Sequence, residues 1–168
     1  QRPDAGGTRP GVFYLNTHEL TRIPTYETMT LSLHEAEPGH HFQVAIATES
    51  EHLPDFQRFG YITAFSEGWA LYAETLGHDM GVFDDPLQYV GFLHSRLFRA
   101  NRLVVDTGLH AKGWTREQAI RHFLDNSPMS EADATAEVER YIAWPGQALA
   151  YLTGALEIQR LRAQAERE

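Results

Sequence analysis

Apolar residues recur at helical spacing along most of the chain. Between residues 27 and 51, Leu31, Leu33, Phe42, Val44 and Ile46 supply apolar surface. Between 64 and 80, Trp69, Tyr72, Leu76 and Met80 cover one side of a second segment. Glu67, Leu71, Glu74 and His78 fall at i, i+4, i+7 and i+11 on another face, and Gly81 ends the segment. A third segment opens at Asp85-Pro86, a suitable N-cap and N1 pair, and runs to about Ala111 before Lys112-Gly113. Val90, Leu93, Leu97 and Val104 read as its core stripe, and Arg99, Arg102, Asp106 and His110 recur on a different face. Thr115 with Gln118 forms a capping box for a helix to about Asp125, and Ser130 with Asp133 resembles another for a helix to about Ala143. Pro145-Gly146 breaks the chain, and a last helix follows from about Gln147. Residues 1–26 read as an arm. Within it Val12-Phe13-Tyr14-Leu15 is β-prone and is closed by Asn16-Thr17. The prediction is an all-α fold of about six helices with one short N-terminal strand. It forms a single domain in which 27–168 is the helical region.

Composition narrows the chemistry. The 168 residues suffice for one domain with a core. No apolar run reaches membrane-spanning length. The net charge of −9 leaves no basic stripe to neutralise phosphates, which argues against a nucleic-acid partner. With no cysteine, disulfides and thiolate metal sites are excluded and the compartment stays open. The chain starts at Gln1 without a methionine or signal pattern, so a fragment or processed piece is expected. Any metal must be held by imidazole and carboxylate, a donor set suited to zinc and its neighbours.

The densest donor cluster is residues 34–43, HEAEPGHHFQ. Zinc hydrolases of the H-E-x-x-H type place two histidines one turn apart, with the glutamate as general base and a third ligand from a later helix. Here the position four after His34 is Pro38, which removes an N–H and clashes with the His34 carbonyl, so the helix must kink, bulge or restart. On an unbroken helix His41 shares a face with His34 but lies about 10 Å along the axis, too far for a shared ion. His40 works only if Pro38-Gly39 absorb two residues. The alternative reading is a surface helix end that happens to be histidine-rich. Glu67 and Glu74, beside Ala70 and Leu71, strengthen the metal reading.

HEAEPGHHFQ, SEGWALYAE, RLVVDTGLHAKGWT and RYIAWPGQALAY together resemble the bacterial domain-of-unknown-function 885 family, in its order and spacing, from residue 9 to the end. The resemblance implies that the chain is the C-terminal part of a longer protein. It also implies a distant likeness to helical zinc peptidases such as carboxypeptidase Taq and thimet oligopeptidase. By that resemblance His34, His40 and Glu67 hold one zinc ion and Glu35 is the base. His41 falls at a variable position, and Glu74 matches a further family glutamate. A tyrosine near the C-terminus is implied in transition-state binding: Tyr151 first, Tyr141 second, with Arg140 and Gln147 as further candidates.

Other residues carry weaker expectations. Asp106 could orient His110, which could then stabilise an oxyanion; a structural polar pair is the alternative. Arg99 or Arg102 could receive a peptide carboxylate, or pair with the chain's own acids. Asn16 could bind a substrate backbone, or be a turn residue. Trp69, Trp114 and Trp144 read as core. The expected function is zinc-dependent hydrolysis of a peptide substrate. The alternatives are a non-catalytic metal-binding or scaffold domain and a hydrolase of other amides or esters. An exposed apolar patch is expected, covered by a homo-oligomer or by the family's N-terminal portion, and the fragment alone is expected to be inactive if that portion forms the cleft.

Overall fold

The structure is a computed structural model that describes residues 4, 8–14, 17 and 24–168. Leu15 and Asn16, the end of the expected strand and the candidate backbone-binding residue, lie outside the described residues. Val12, Phe13 and Tyr14 are described and adopt no regular element, and no strand occurs among the described residues.

The rest is helical. A single 3₁₀ turn, Thr25–Glu27, leads into α1 (Thr28–Glu35). Then come α2 (His40–Glu49), a short α3 (Asp55–Arg58), α4 (Thr63–Asp79), α5 (Pro86–Ala111), α6 (Arg116–Asn126) and α7 (Glu131–Ala143). A second 3₁₀ turn, Gln147–Leu149, enters α8 (Ala150–Ala165). The predicted caps form. The Asp85 side chain accepts from the Leu87 N–H with Pro86 at N1. Thr115 and Gln118 make a reciprocal capping box, and Ser130 accepts from the Asp133 N–H. Gly81, Gly113 and Gly146 each take positive φ at the breaks that follow α4, α5 and α7.

The 27–51 segment splits where Pro38-Gly39 required it, leaving Ala36–Gly39 between α1 and α2. The turn folds tightly onto the end of α1: a Cβ placed on Gly39 would overlap the His34 carbonyl oxygen, so only glycine fits. On its other side the turn is held by Trp69 of α4, whose Nε1–H donates to the Pro38 carbonyl at 2.8 Å.

Helices α4 and α8 pack closely because both present glycine at the crossing. A Cβ on Gly68 would lie 2.5 Å from Gly154 Cα. Leu71, Tyr72, Ala150, Tyr151 and Ala155 fill this interface. A second core of Val105, Ile120, Phe123, Val138 and Tyr141 joins α5, α6 and α7.

Helix α5 corrects one expectation. Val90, Leu93, Leu97 and Val104 are 44–49% exposed, while the buried face carries Phe92, Asn101, Arg102, Val105 and Asp106. The polar residues lie inside because each finds a partner there, and the apolar stripe is left outward. Trp144 is likewise exposed rather than core, Trp114 packs against Gly108, and Trp69 is half-buried.

Candidate functional site

Three elements bring the donor cluster together. His34 sits in the last turn of α1, His40 at the first position of α2, and Glu67 in the first half of α4. One ligand atom from each lies within 4.8 Å of the others. Glu67 Oε2 is 3.2 Å from His40 Nε2 and 3.8 Å from His34 Nε2, and the two rings stand edge to face with centroids 4.9 Å apart. Two ligands of a tetrahedral zinc are separated by about 3.4 Å when each bond is ~2.1 Å. The two His–Glu separations straddle that value. The break at Ala36–Gly39 is what brings His40 within reach of His34, while His41 is exposed.

The tautomer of His34 follows from its buried neighbour. Glu74, 1% exposed, accepts from His34 Nδ1–H at 2.7 Å, and its other oxygen accepts from Ser95 Oγ–H at 2.9 Å. With Nδ1 donating, neutral His34 presents the Nε2 lone pair toward Glu67, as a metal-binding histidine requires. Glu67 is steadied from the far side by Tyr61, whose hydroxyl donates to Oε1 at 3.2 Å. Burial alone would raise the Glu67 carboxyl, but the nearby imidazoles outweigh it and hold it well below the ordinary range. Burial alone would lower His34, but Glu67 and Glu74 outweigh it and leave its pKa raised. Without a cation, the cluster holds together only by sharing protons. These residues therefore fit a divalent ion both in donor type and in spacing.

Glu35, half-buried, lines an open cleft of about 400 Å³ together with His40, His41 and Glu67. Gly11, Val12 and Phe13 contribute to the cleft wall. A second cavity, about 580 Å³, reaches His34 and Glu74 between α1, α5 and the residues around Met129.

Tyr151 packs almost parallel to the His34 ring at 6.3 Å, and Gln147 Nε2–H donates to its hydroxyl at 3.0 Å. Other candidates lie elsewhere. His110 is exposed near the end of α5, bonded through Nε2 to the Tyr141 carbonyl, and stands about 22 Å along the helix axis from Ser95. The structure does not bring it to the cluster. Asp106 is turned to the Gly146 N–H, at 3.0 Å through Oδ2, and so anchors the break that precedes α8. Tyr141 and Arg102 belong to another network: Arg102 Nε–H donates to the Tyr141 hydroxyl at 3.0 Å and Arg102 Nη2–H to Glu137 at 2.7 Å. Arg140 is half-buried, and its guanidinium reaches Gln147 at 3.4 Å.

Sequence reasoning did not find the Trp69–Pro38 bond, the Ser95–Glu74 bond, or a second carboxylate–imidazole pair, Glu27 with His94 Nδ1 at 2.6 Å. None of these contacts carried a local signal in the sequence, because each joins residues far apart in the chain.

A family model described as "Bacterial protein of unknown function (DUF885)" matches residues 1–168. Among solved structures, the crystal structure described as "the putative lipoprotein from Colwellia psychrerythraea" is 46% identical with a TM-score of 0.95. It covers 99% of this chain and 28% of that one. A "putative lipoprotein of unknown function from Shewanella oneidensis" is 28% identical with a TM-score of 0.76, covering 85% of this chain and 26% of that one. The chain thus spans little more than a quarter of either relative. No curated protein matches. No helix among the described residues is long and apolar enough to cross a membrane.

Proposed function

The chain belongs to the bacterial DUF885 family, and on that premise we propose that it carries the catalytic centre of a metal-dependent hydrolase acting on peptide bonds. The observation that carries the reading is the convergence of His34, His40 and Glu67 within 4.8 Å, with His34 oriented by a buried carboxylate. A zinc ion held by these three would polarise the substrate carbonyl and lower the pKa of water. Glu35, on the cleft wall, takes the proton from the attacking water and returns it to the leaving amine. Glu74 keeps His34 in the ligating tautomer, and Ser95 keeps Glu74 in place. Tyr151, whose hydroxyl receives the Gln147 N–H, keeps its own proton free to donate toward the carbonyl oxygen as charge develops. The description of both solved relatives as putative lipoproteins favours an extracytoplasmic setting.

The test is Glu35→Gln in protein loaded with zinc. The variant is expected to keep one zinc per chain and lose turnover of a peptide library by about 10²–10⁴-fold. Unchanged hydrolysis would remove Glu35 as the base. Loss of ester or non-peptide amide hydrolysis, with peptides untouched by the wild type, would move the substrate class while leaving the residues in their roles.

A further inference from the structure

We propose that the cavity behind His34 is a subsite for a residue ending in a free carboxylate, with Arg99 as the recognising group. The inference rests on the hydrolase reading only for the bond that is cut. Arg99 stands on α5 facing this cavity of about 580 Å³, beside His34, Glu74 and the apolar Leu31, Phe98 and Met129. Its guanidinium lies 4.7 Å from the ring centroids of both Phe98 and Tyr151. Aromatic contact of this kind fixes the guanidinium plane and leaves the terminal nitrogens for an in-plane acceptor. Among the described residues Arg99 forms no hydrogen bond and no salt bridge, and its Nε is buried without a partner. Arg102, one turn away, has Glu137 at 2.7 Å. Arg99 is half-buried, Glu74 acts on it only through charge without a hydrogen bond, and a bidentate carboxylate would answer the guanidinium directly.

The cavity's own acids are hydrogen-bonded to other groups, and none forms a salt bridge with Arg99 among the described residues. Glu27 is engaged by His94 at 2.6 Å, Glu74 by His34 at 2.7 Å, and Asp133 accepts from Ser130 at 2.6 Å. Their charge disfavours a dianion such as phosphate and suits a single carboxylate. Because His34 borders this cavity and His40 borders the open cleft, a peptide seated across the cluster would place its C-terminal residue against Arg99. The proposed specificity is therefore for peptide ends.

The experiment is equilibrium binding of N-acetyl-alanyl-phenylalanine and of its C-terminal amide to the Glu35→Gln protein, with and without zinc. The acid is expected to bind about tenfold more tightly than the amide in both states. Arg99→Met and Arg99→Lys are expected to reduce that preference, Arg99→Met to none, with the helical circular dichroism retained. Equal binding of acid and amide, no binding of either, or a preference that survives Arg99→Met would each overturn the subsite. Displacement of the acid by equimolar inorganic phosphate would overturn the carboxylate assignment in favour of a general oxyanion site. The acid–amide difference does not require catalysis or metal, so failure of the hydrolase reading alone would leave it standing.

Discussion

Two buried polar clusters share this small fold, and they are built on opposite terms. Between α5 and α7, Arg102 meets Glu137 at 2.7 Å and the Tyr141 hydroxyl at 3.0 Å, so opposite charges cancel inside the protein. Only its Nη1 lacks a partner among the described residues. Between α1, α2 and α4, two imidazoles and a carboxylate turn acceptor atoms toward one centre. Such atoms repel unless protons or a cation intervene. A closed ion pair holds helices together. A cluster of converging acceptors is instead open to a cation, and it is where the proposed zinc would sit. Both involve buried titratable groups, so burial alone does not separate structure from function; the sign of what converges does.

The comparison breaks most readily at its closed end. Arg102→Met leaves Glu137 without its guanidinium and is expected to cost about 3 kcal/mol of unfolding free energy by denaturant titration. Zinc binding should persist in the folded fraction. Arg99→Met, which removes a guanidinium with no hydrogen bond or salt bridge among the described residues, is expected to cost much less than Arg102→Met in the same titration. A large loss there would mean that Arg99 belongs to the closed type. At the open end, Glu74→Gln keeps a hydrogen-bond acceptor but removes the charge behind His34, and zinc affinity should fall about 10- to 100-fold in a chelator competition.

A smaller effect depends on pH. Burial alone would raise Glu137, but Arg102 and Tyr141 outweigh it and hold its pKa below the ordinary 4.5. A depressed carboxylate adds stability above its unfolded pKa and loses it as pH falls through the folded value. The stability gap between wild type and Glu137→Gln is therefore expected to be full at pH 6 and to narrow below about 4.5. A gap constant from pH 6 to 3 would contradict the pairing.

What was legible in the chain was mostly local. Asp85-Pro86, Thr115 with Gln118, Ser130 and Gly81 announce helix ends because caps and positive-φ residues act within a few positions of themselves. Periodicity located α5 but turned it inside out. An apolar stripe at Val90, Leu93, Leu97 and Val104 says that a face is apolar, not what covers it, and the buried polar face was affordable only because distant partners meet it. The site was legible in part. Pro38-Gly39 announced a break and helix rise counted against His41, but spacing alone left open whether a bulge would recruit His40, and family resemblance was needed to choose it. The contacts that orient the cluster, Trp69 to Pro38 and Ser95 to Glu74, span 31 and 21 residues and carry no local pattern. His110 looked promising beside Asp106 on one helix, but Gly146 takes the aspartate.

The most direct measurement is zinc content after loading and desalting, compared among wild type, His40→Ala and His41→Ala. One zinc per chain is expected in wild type and His41→Ala, and almost none in His40→Ala. No stoichiometric zinc in the wild type, or loss in His41→Ala with retention in His40→Ala, would contradict it.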